Sequence, residues 1–459
     1  MSASRPTTAP ADVSSPRAGH PRALGSIARN LGWLTVEQAL RVVVGLTVGI
    51  WLAKHLGPER FGTLNFALSL AALCSAFAFQ GLNTVLVRDQ IERPDGDAET
   101  LGTALLLRAI GGLVTFAIAL AAMTALRPGD VESLALVALC SGAVLVQAGT
   151  VARSWFEARS RLPCAVRAEA LAFVAVAAVK VALIYADAPL IAFGWAIFLE
   201  AVLATVGLAI MLSRQRISMA PWHATVRRLV QMWRDAWPLV LSSFTIMVYM
   251  RIDQIMIASL AGDRAVGVYA AASKLSELSH ALPLVVVAAV VPSILEARAA
   301  SEAEYSARWA VLLGRLATAA IAIAAAVAIA ARPLVSMLFG EGYDEAAEVL
   351  RIHVWTLVLV SLGTVSHRWY VSEGLQRLEM TWIAIAALVN VGLNAVLIPA
   401  YGARGAAVAM VLSMVLSALL LDACSARSRP LFFAKLRALV SGPRAVVVRL
   451  RASIGALER

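Results

Sequence analysis

Leu56-Gly57-Pro58-Glu59-Arg60-Phe61-Gly62-Thr63-Leu64 separates two long apolar segments, residues 31–53 and 62–87. Proline has no N–H to donate and clashes with the preceding turn, so Gly57-Pro58 predicts a tight turn between two helices. A related stretch returns in the second half: Ala261-Gly262-Asp263-Arg264-Ala265-Val266-Gly267-Val268-Tyr269. In both, a glycine is followed by an acid, an arginine and a second glycine five positions on. Each joins a helix that begins near a tryptophan (Trp33, Trp237) to a small-residue helix. A duplicated membrane architecture of this kind predicts a transporter.

Composition agrees. The chain has 459 residues, 60% of them hydrophobic and only 15% charged, with a mean hydropathy of +0.77. An ordinary soluble domain carries about 25% charged residues. Four cysteines, Cys74, Cys140, Cys164 and Cys424, stand singly, with neither disulfide nor metal-ligand spacing. The first 26 residues are rich in Pro, Ala, Ser and Arg and lack the apolar core of a signal peptide. They read as a disordered cytoplasmic tail, leaving the first membrane helix to act as the insertion signal.

Twelve segments are long enough for about 30 Å of hydrocarbon. They fall near 31–53, 62–87, 102–126, 132–153, 164–186 and 189–213, then 237–260, 266–295, 309–331, 346–372, 379–399 and 404–425. The reading is an all-α polytopic membrane protein, a duplicated twelve-helix transporter with two pseudo-symmetric six-helix lobes. It divides into a tail (1–30), a first lobe (31–213), an amphipathic linker (214–236), a second lobe (237–425) and a basic tail (426–459). Lys and Arg concentrate in the two tails and the even-to-odd loops, which predicts both termini in the cytoplasm. A basic face on anionic lipid also accounts for the net charge of +11 without nucleic acid. In the linker, Trp222, Val226, Leu229 and Trp233 recur at helical spacing among Arg227, Arg228 and Arg234, as in a helix lying on the inner leaflet. The tail after Cys424, with Lys435 among its basic residues, reads as a second surface-seeking segment. No phosphate-binding loop ending in Lys-Ser/Thr is present, and no extramembrane stretch is long enough for a nucleotide-binding domain.

Asn30, Trp33, Gln38 and Arg41, followed by Ala53-Lys54-His55-Leu56-Gly57-Pro58-Glu59-Arg60-Phe61-Gly62, resemble the amino-terminal signature of bacterial polysaccharide flippases. These O-antigen and exopolysaccharide repeat-unit translocases belong to the multidrug/oligosaccharidyl-lipid/polysaccharide exporter superfamily. Arg251-Ile252-Asp253-Gln254 with Gly262, Gly267, Tyr269, Ala271 and Lys274, and Tyr401-Gly402-Ala403-Arg404-Gly405-Ala406-Ala407, extend the resemblance over residues 30–425. It implies a fold in which the two six-helix lobes face each other around a central cavity, and a substrate, an undecaprenyl-pyrophosphate-linked oligosaccharide moved from the inner to the outer leaflet of the plasma membrane. The partners that go with it are a polysaccharide polymerase and chain-length proteins.

Ionisable groups inside spanning helices are costly unless they face a wet or paired site, so each is a site candidate. Arg41, Arg251, Lys274, Lys180 and Arg315 are candidates for a cationic cavity that holds pyrophosphate. The helices of Arg41, Arg251 and Lys274 are expected to line it; those of Lys180 and Arg315 have the weaker claim. Neither Lys180 nor Arg315 has an acid nearby in the sequence. Glu37, four residues before Arg41, is placed to pair with it; Lys274 and Glu277 are three apart. Glu37, Asp253 and Glu277 are candidates for proton or sodium coupling, with Glu200 a further carboxylate of this kind. No metal site or cofactor is expected. Arg108, a turn or two into its helix, is expected to snorkel to the surface. Asn390 and Asn394 share a helix face suited to interhelical hydrogen bonds. Gly57, Pro58, Gly62, Gly262 and Gly267 are read as structural turn and close-approach residues. The alternatives within the superfamily are a lipid II flippase, which usually carries two further helices, and a cation-coupled drug exporter, which needs buried carboxylates rather than a basic interior. A membrane-embedded glycosyltransferase or polymerase would need an acidic cluster, and the loop with Glu341, Asp344, Glu345 and Glu348 is short for that.

Overall fold

The computed structural model describes residues 21–78, 82–92, 97–217 and 221–440, with side chains from residue 41 onward except that of Thr84. Helices follow one another as α1 (Pro21–Cys74), α2 (Leu82–Glu92), α3 (Asp97–Leu126), α4 (Val131–Val146), α5 (Ala152–Ala158), α6 (Leu162–Tyr185) and α7 (Leu190–Arg214). The second half holds α8 (Val226–Leu260), α9 (Asp263–Leu278), α10 (Ala281–Ala300), α11 (Glu302–Phe339), α12 (Asp344–His353), α13 (Thr356–Ser372) and α14 (Gln376–Ala418). A last helix, α15, covers 429–440. Among the described residues there is no strand, and ten runs are long and apolar enough to cross a membrane. Where twelve segments are expected, two of these ten runs bend: 41–78 at Gly57 and 376–424 at Gly402, both glycines with positive φ. Residues 21–30, expected as tail, are already helical.

The helices break where a neighbour takes over their backbone carbonyls. The second expected segment stops at Cys74, whose carbonyl accepts from Thr115 Oγ1 on α3 at 2.9 Å. The fourth loosens into a 3-10 stretch, Gln147–Val151, where Val146 O accepts from Thr205 Oγ1 on α7 at 3.2 Å. The tenth divides into α12 and α13, and His353 O accepts from Ser276 on α9 and from Thr356. Inside a bilayer such hydroxyls are what make a broken helix tolerable.

Helices of the first half pack mainly on one another, as do those of the second, and α1 joins the halves by lying along α9 and α8. At that joint the two glycine turns meet. Gly57 (φ 69°, ψ 171°) and Gly262 (φ 84°, ψ 172°) adopt the same left-handed, extended backbone, which strains any residue with a Cβ. A Cβ on Gly62 would lie 1.8 Å from Asp263 O, and one on Gly267 would lie 1.8 Å from Pro58 O. Pro58 and Asp263 each follow the turn glycine, so these are one contact made twice, related by a pseudo-two-fold axis. Arg127 reinforces the joint. It bonds both Asp263 carboxylate oxygens, stacks over Phe66 at 4.2 Å and lies 3.7 Å from Asp130. Partial burial opposes its charge, but Asp263 and Asp130 together raise its pKa. Thr63 donates to the same Asp263 carboxylate, and Tyr343 OH donates to Ala53 O across the halves.

Two expectations change at the opposite end. The linker is not a separate helix lying flat. From Val226 it is the first part of α8, which runs unbroken through Pro238. Its packed stripe is Arg228, Met232 and Ala236, while Val226 and Trp233 stay exposed. Arg228 fixes this rotation by donating to Asp89 at 2.6 Å, both side chains buried. Lys435, expected on a surface-seeking tail, is instead only 1% exposed. It donates to Asp422 at 2.5 Å and to Ala418 O at 2.7 Å, pinning α15 to the end of α14.

Candidate functional site

A cavity of about 1040 Å³ opens within the first half of the bundle. Its walls come from α1, α3, α5, α6, α7 and the irregular stretch between α4 and α5, with Asn83 of α2 and Val144 of α4; Lys274 of α9 closes it from the second half. Three of the five candidate cations line it: Arg41, Lys180 and Lys274. Arg41 stacks over the Phe173 ring at 5.3 Å, and the Lys274 ammonium lies 4.5 Å from the centroid of Phe61. A ring face attracts a cation through its quadrupole and so helps to position it. Lys180 does have an acid: Glu200, twenty residues on along α7, is 3.1 Å away. Sequence spacing did not reveal that partner, because it sits across an antiparallel hairpin whose register is set only in the folded bundle.

The other two candidates lie elsewhere. Arg251 is half-buried on α8 and is not among the lining residues, although it stands within electrostatic reach of Lys274 and Glu277. Arg315 is exposed on α11, away from both described cavities. The fifth expected segment thus contributes to the cavity where the seventh was favoured. The wall also holds residues that the sequence reading did not assign: Arg108, Arg153, Glu157 and Glu169, with Arg153 paired to Glu169. Arg108 does not snorkel. It is 6% exposed and is held inside by Asn83 and Thr150. The signal that would have placed it is the helix break at Gln147–Val151, which brings Thr150 to the wall.

A smaller cavity of about 320 Å³ runs along the other side of α1. It is lined by Val42, Leu46, Ile50, Leu278 and Phe339 among others, and both cavities share Gly45, Gly49 and Lys274. No side chain of α1 separates them at Gly49, where even an added Cβ would meet nothing within 4 Å. Glu277 borders this second cavity.

The carboxylate candidates separate in the same way. Asp253 is sealed inside the second half, 2% exposed. It accepts from Tyr269 OH at 2.8 Å and Asn394 Nδ2 at 2.6 Å; Asn394 in turn bonds Asn390, which donates to Ser413 on the far leg of α14. Among the described residues no Lys or Arg bonds Asp253, and the Asn394 Oδ1 acceptor has no partner. The side chain of Glu37 lies outside the described residues.

The model of the polysaccharide biosynthesis protein family matches residues 27–298. The chain belongs to that family. The MatE model matches residues 238–396. A putative O-antigen transporter of Shigella dysenteriae is 23% identical over 192 residues, 42% of this chain; the match spans about half, 48%, of that relative. Among solved structures, an inward-facing multidrug resistance MATE family transporter of the MOP superfamily aligns with TM-score 0.68 and 16% identity, covering 92% of this chain and 99% of that one. The lipid II flippase MurJ, in an inward closed conformation, aligns with TM-score 0.69 and 12% identity over 91% and 92% of the two chains. At these identities the likeness is one of fold. This polysaccharide biosynthesis protein is therefore a multi-pass membrane protein with the fold seen in the MATE and MurJ structures.

Proposed function

We propose that the protein flips an undecaprenyl-pyrophosphate-linked oligosaccharide repeat unit across the bacterial inner membrane by alternating access. The observation that carries this reading is the double exposure of Lys274, which faces a polar, basic chamber on one side of α1 and an apolar crevice on the other. A polyprenyl-linked glycan has the same division. Its charged headgroup needs counter-charge and hydrogen bonds in a low-dielectric setting, while its chain loses nothing by staying in a hydrocarbon-lined groove. Arg41, Lys180 and Lys274 are the pyrophosphate ligands in this scheme. A drug exporter for cations has no use for a wall of this sign. In cells whose own copy of the gene is deleted, the protein should restore surface polysaccharide and clear the lipid-linked precursor. Normal protein in the membrane with continued precursor accumulation would rule the substrate out.

The turn end faces outward in this proposal, with both termini in the cytoplasm. Reporter fusions after residues 128 and 262 should then report the periplasm, and fusions after 160 and 220 the cytoplasm. A cytoplasmic signal after 262 reverses the assignment.

Asp253 is the proposed coupling carboxylate, through a proton or a sodium ion. A fully buried acid held only by neutral donors must acquire a cation or a proton. Asp253→Asn keeps the shape and removes the charge. Transport by the variant, assayed in vesicles, should lose its response to an imposed sodium or proton gradient. An unchanged response places the coupling at Glu37, Glu277 or elsewhere.

A further inference from the structure

Several basic side chains sunk in the bundle hold a carboxylate: Arg153 bonds Glu169, Lys180 Glu200, Arg228 Asp89 and Lys435 Asp422. Arg108 does not. Its Nη2 donates to Asn83 Oδ1 at 2.8 Å and its Nη1 to Thr150 Oγ1 at 3.2 Å, both neutral oxygens. Its Nε has no partner, and among the described residues no carboxylate bonds it. A guanidinium has five donors and stays charged, so this one is 94% hidden with its charge unmatched and most of its donors unused. Such a cation is costly in a low-dielectric bundle unless an anion comes to it. Arg108, Asn83, Thr150 and Gln147 all face the large cavity. Glu157 and Glu169 line the same wall, and Glu169 is taken up by Arg153.

We infer that Arg108, with Asn83, Thr150 and Gln147, forms a second anion subsite that takes a carboxylate borne by a sugar of the translocated headgroup. The inference rests on the flippase reading for its ligand and not for its geometry. At 1.5 Å per helical residue, Arg108 lies roughly 27 Å from the turn end of α3, and Lys274 roughly 17 Å from the same end on α9. A pyrophosphate beside Lys274 does not span that offset, whereas sugar residues attached to it do. Asn83, Thr150 and Gln147 supply the neutral donors and acceptors that sugar hydroxyls need. Selection of an acidic repeat unit over a neutral one then falls to Arg108.

The test uses the full-length protein in detergent with three probes: digalacturonate, a neutral galactose disaccharide and farnesyl pyrophosphate. Arg108→Gln, which keeps hydrogen-bonding capacity and loses the charge, should weaken digalacturonate binding about tenfold or more. The neutral disaccharide and farnesyl pyrophosphate should bind as before, and Arg108→Lys should restore much of the loss. If Arg108→Gln instead weakens farnesyl pyrophosphate alone, the subsite holds phosphate and the sugar-carboxylate assignment is overturned. Digalacturonate binding that is unchanged in Arg108→Gln, or absent from the wild type, overturns it too. So does an equal loss of all three probes that Arg108→Lys does not repair, which marks a purely structural residue. Wild-type protein that binds digalacturonate through Arg108 but not farnesyl pyrophosphate keeps the subsite and removes the polyprenyl-pyrophosphate substrate.

Discussion

Gly62→Leu and Gly267→Leu are each expected to remove nearly all folded protein from the membrane, and to do so to a similar degree. A Cβ at either position falls 1.8 Å from a carbonyl oxygen of the opposing turn, and that oxygen belongs to backbone in the other half of the chain. A flexible side chain can swing aside from such a clash; two helices locked in register cannot. Overpacking a well-packed core costs about 1–3 kcal/mol. With backbone on both sides and no room even for alanine, the cost should exceed about 4 kcal/mol, enough to unfold a marginally stable protein. The symmetry of the contact makes the two variants alike, although their neighbours differ. Arg127→Ala should be much milder, since its partly exposed ion pair with Asp263 is screened and secondary to the backbone contact. Gly314→Ala, where an added Cβ meets nothing within 4 Å, should leave the amount of protein unchanged. Immunoblots of membranes with size-exclusion profiles of the extracted protein make the comparison. Normal amounts and normal transport for both leucine variants would show that the crossing of the turns does not matter.

That contact explains why the fold was legible. A repeat of Gly57-Pro58 with Gly62, and of Gly262-Asp263 with Gly267, requires two glycine types for two reasons: one for the backbone angle, one for the close approach. Both reasons survive in the sequence as residue identities. The apolar runs survive in the same way, as composition. The site was less legible because its shape comes from departures from regular helix. The breaks after Cys74, Val146 and His353 depend on Thr115, Thr205 and Ser276, hydroxyl residues far away in sequence whose role appears only when the helices are packed. A straight helix through 147–151 would leave Arg108 looking like a residue near a helix end with an easy route to the surface. Lys180 lines the cavity as its candidacy requires, but its acid partner is hidden from the sequence for a related reason, since Glu200 lies on the next helix. Arg315 shows the converse failure. A lone arginine in an apolar segment invites a cavity assignment, yet it is exposed, on a face of α11 away from either described cavity. The Asn390 and Asn394 pair was read correctly as interhelical because i, i+4 spacing fixes one face regardless of context.

Lys274→Ala and Arg41→Ala should each abolish most polysaccharide export while leaving the protein at its normal level. Lys274 is the one lining residue of the large cavity drawn from the second half, and it borders the apolar crevice as well. It therefore touches the place where a headgroup would join its hydrocarbon chain. Arg41 stands on the same face of α1 as Gly45 and Gly49, across which the two cavities adjoin. Both cations rest on aromatic rings, Phe61 and Phe173, which helps to hold them at the wall. A charge-assisted hydrogen bond to phosphate contributes about 1.5–3 kcal/mol, which predicts a ten- to hundredfold loss for each alanine variant. If charge is what the site supplies, Lys274→Arg and Arg41→Lys should keep much of the activity. Lys180→Ala should cost less export per unit of folded protein, because Glu200 already offsets part of its charge, but it strands that acid and should lower the protein level. Arg315→Ala, far from the wall, should export normally and serves as the internal control. Surface polysaccharide in a deletion strain, read beside membrane protein level, decides the matter. Export that stays normal in both Lys274→Ala and Arg41→Ala would mean that these cations hold helices together and that the pyrophosphate is bound elsewhere.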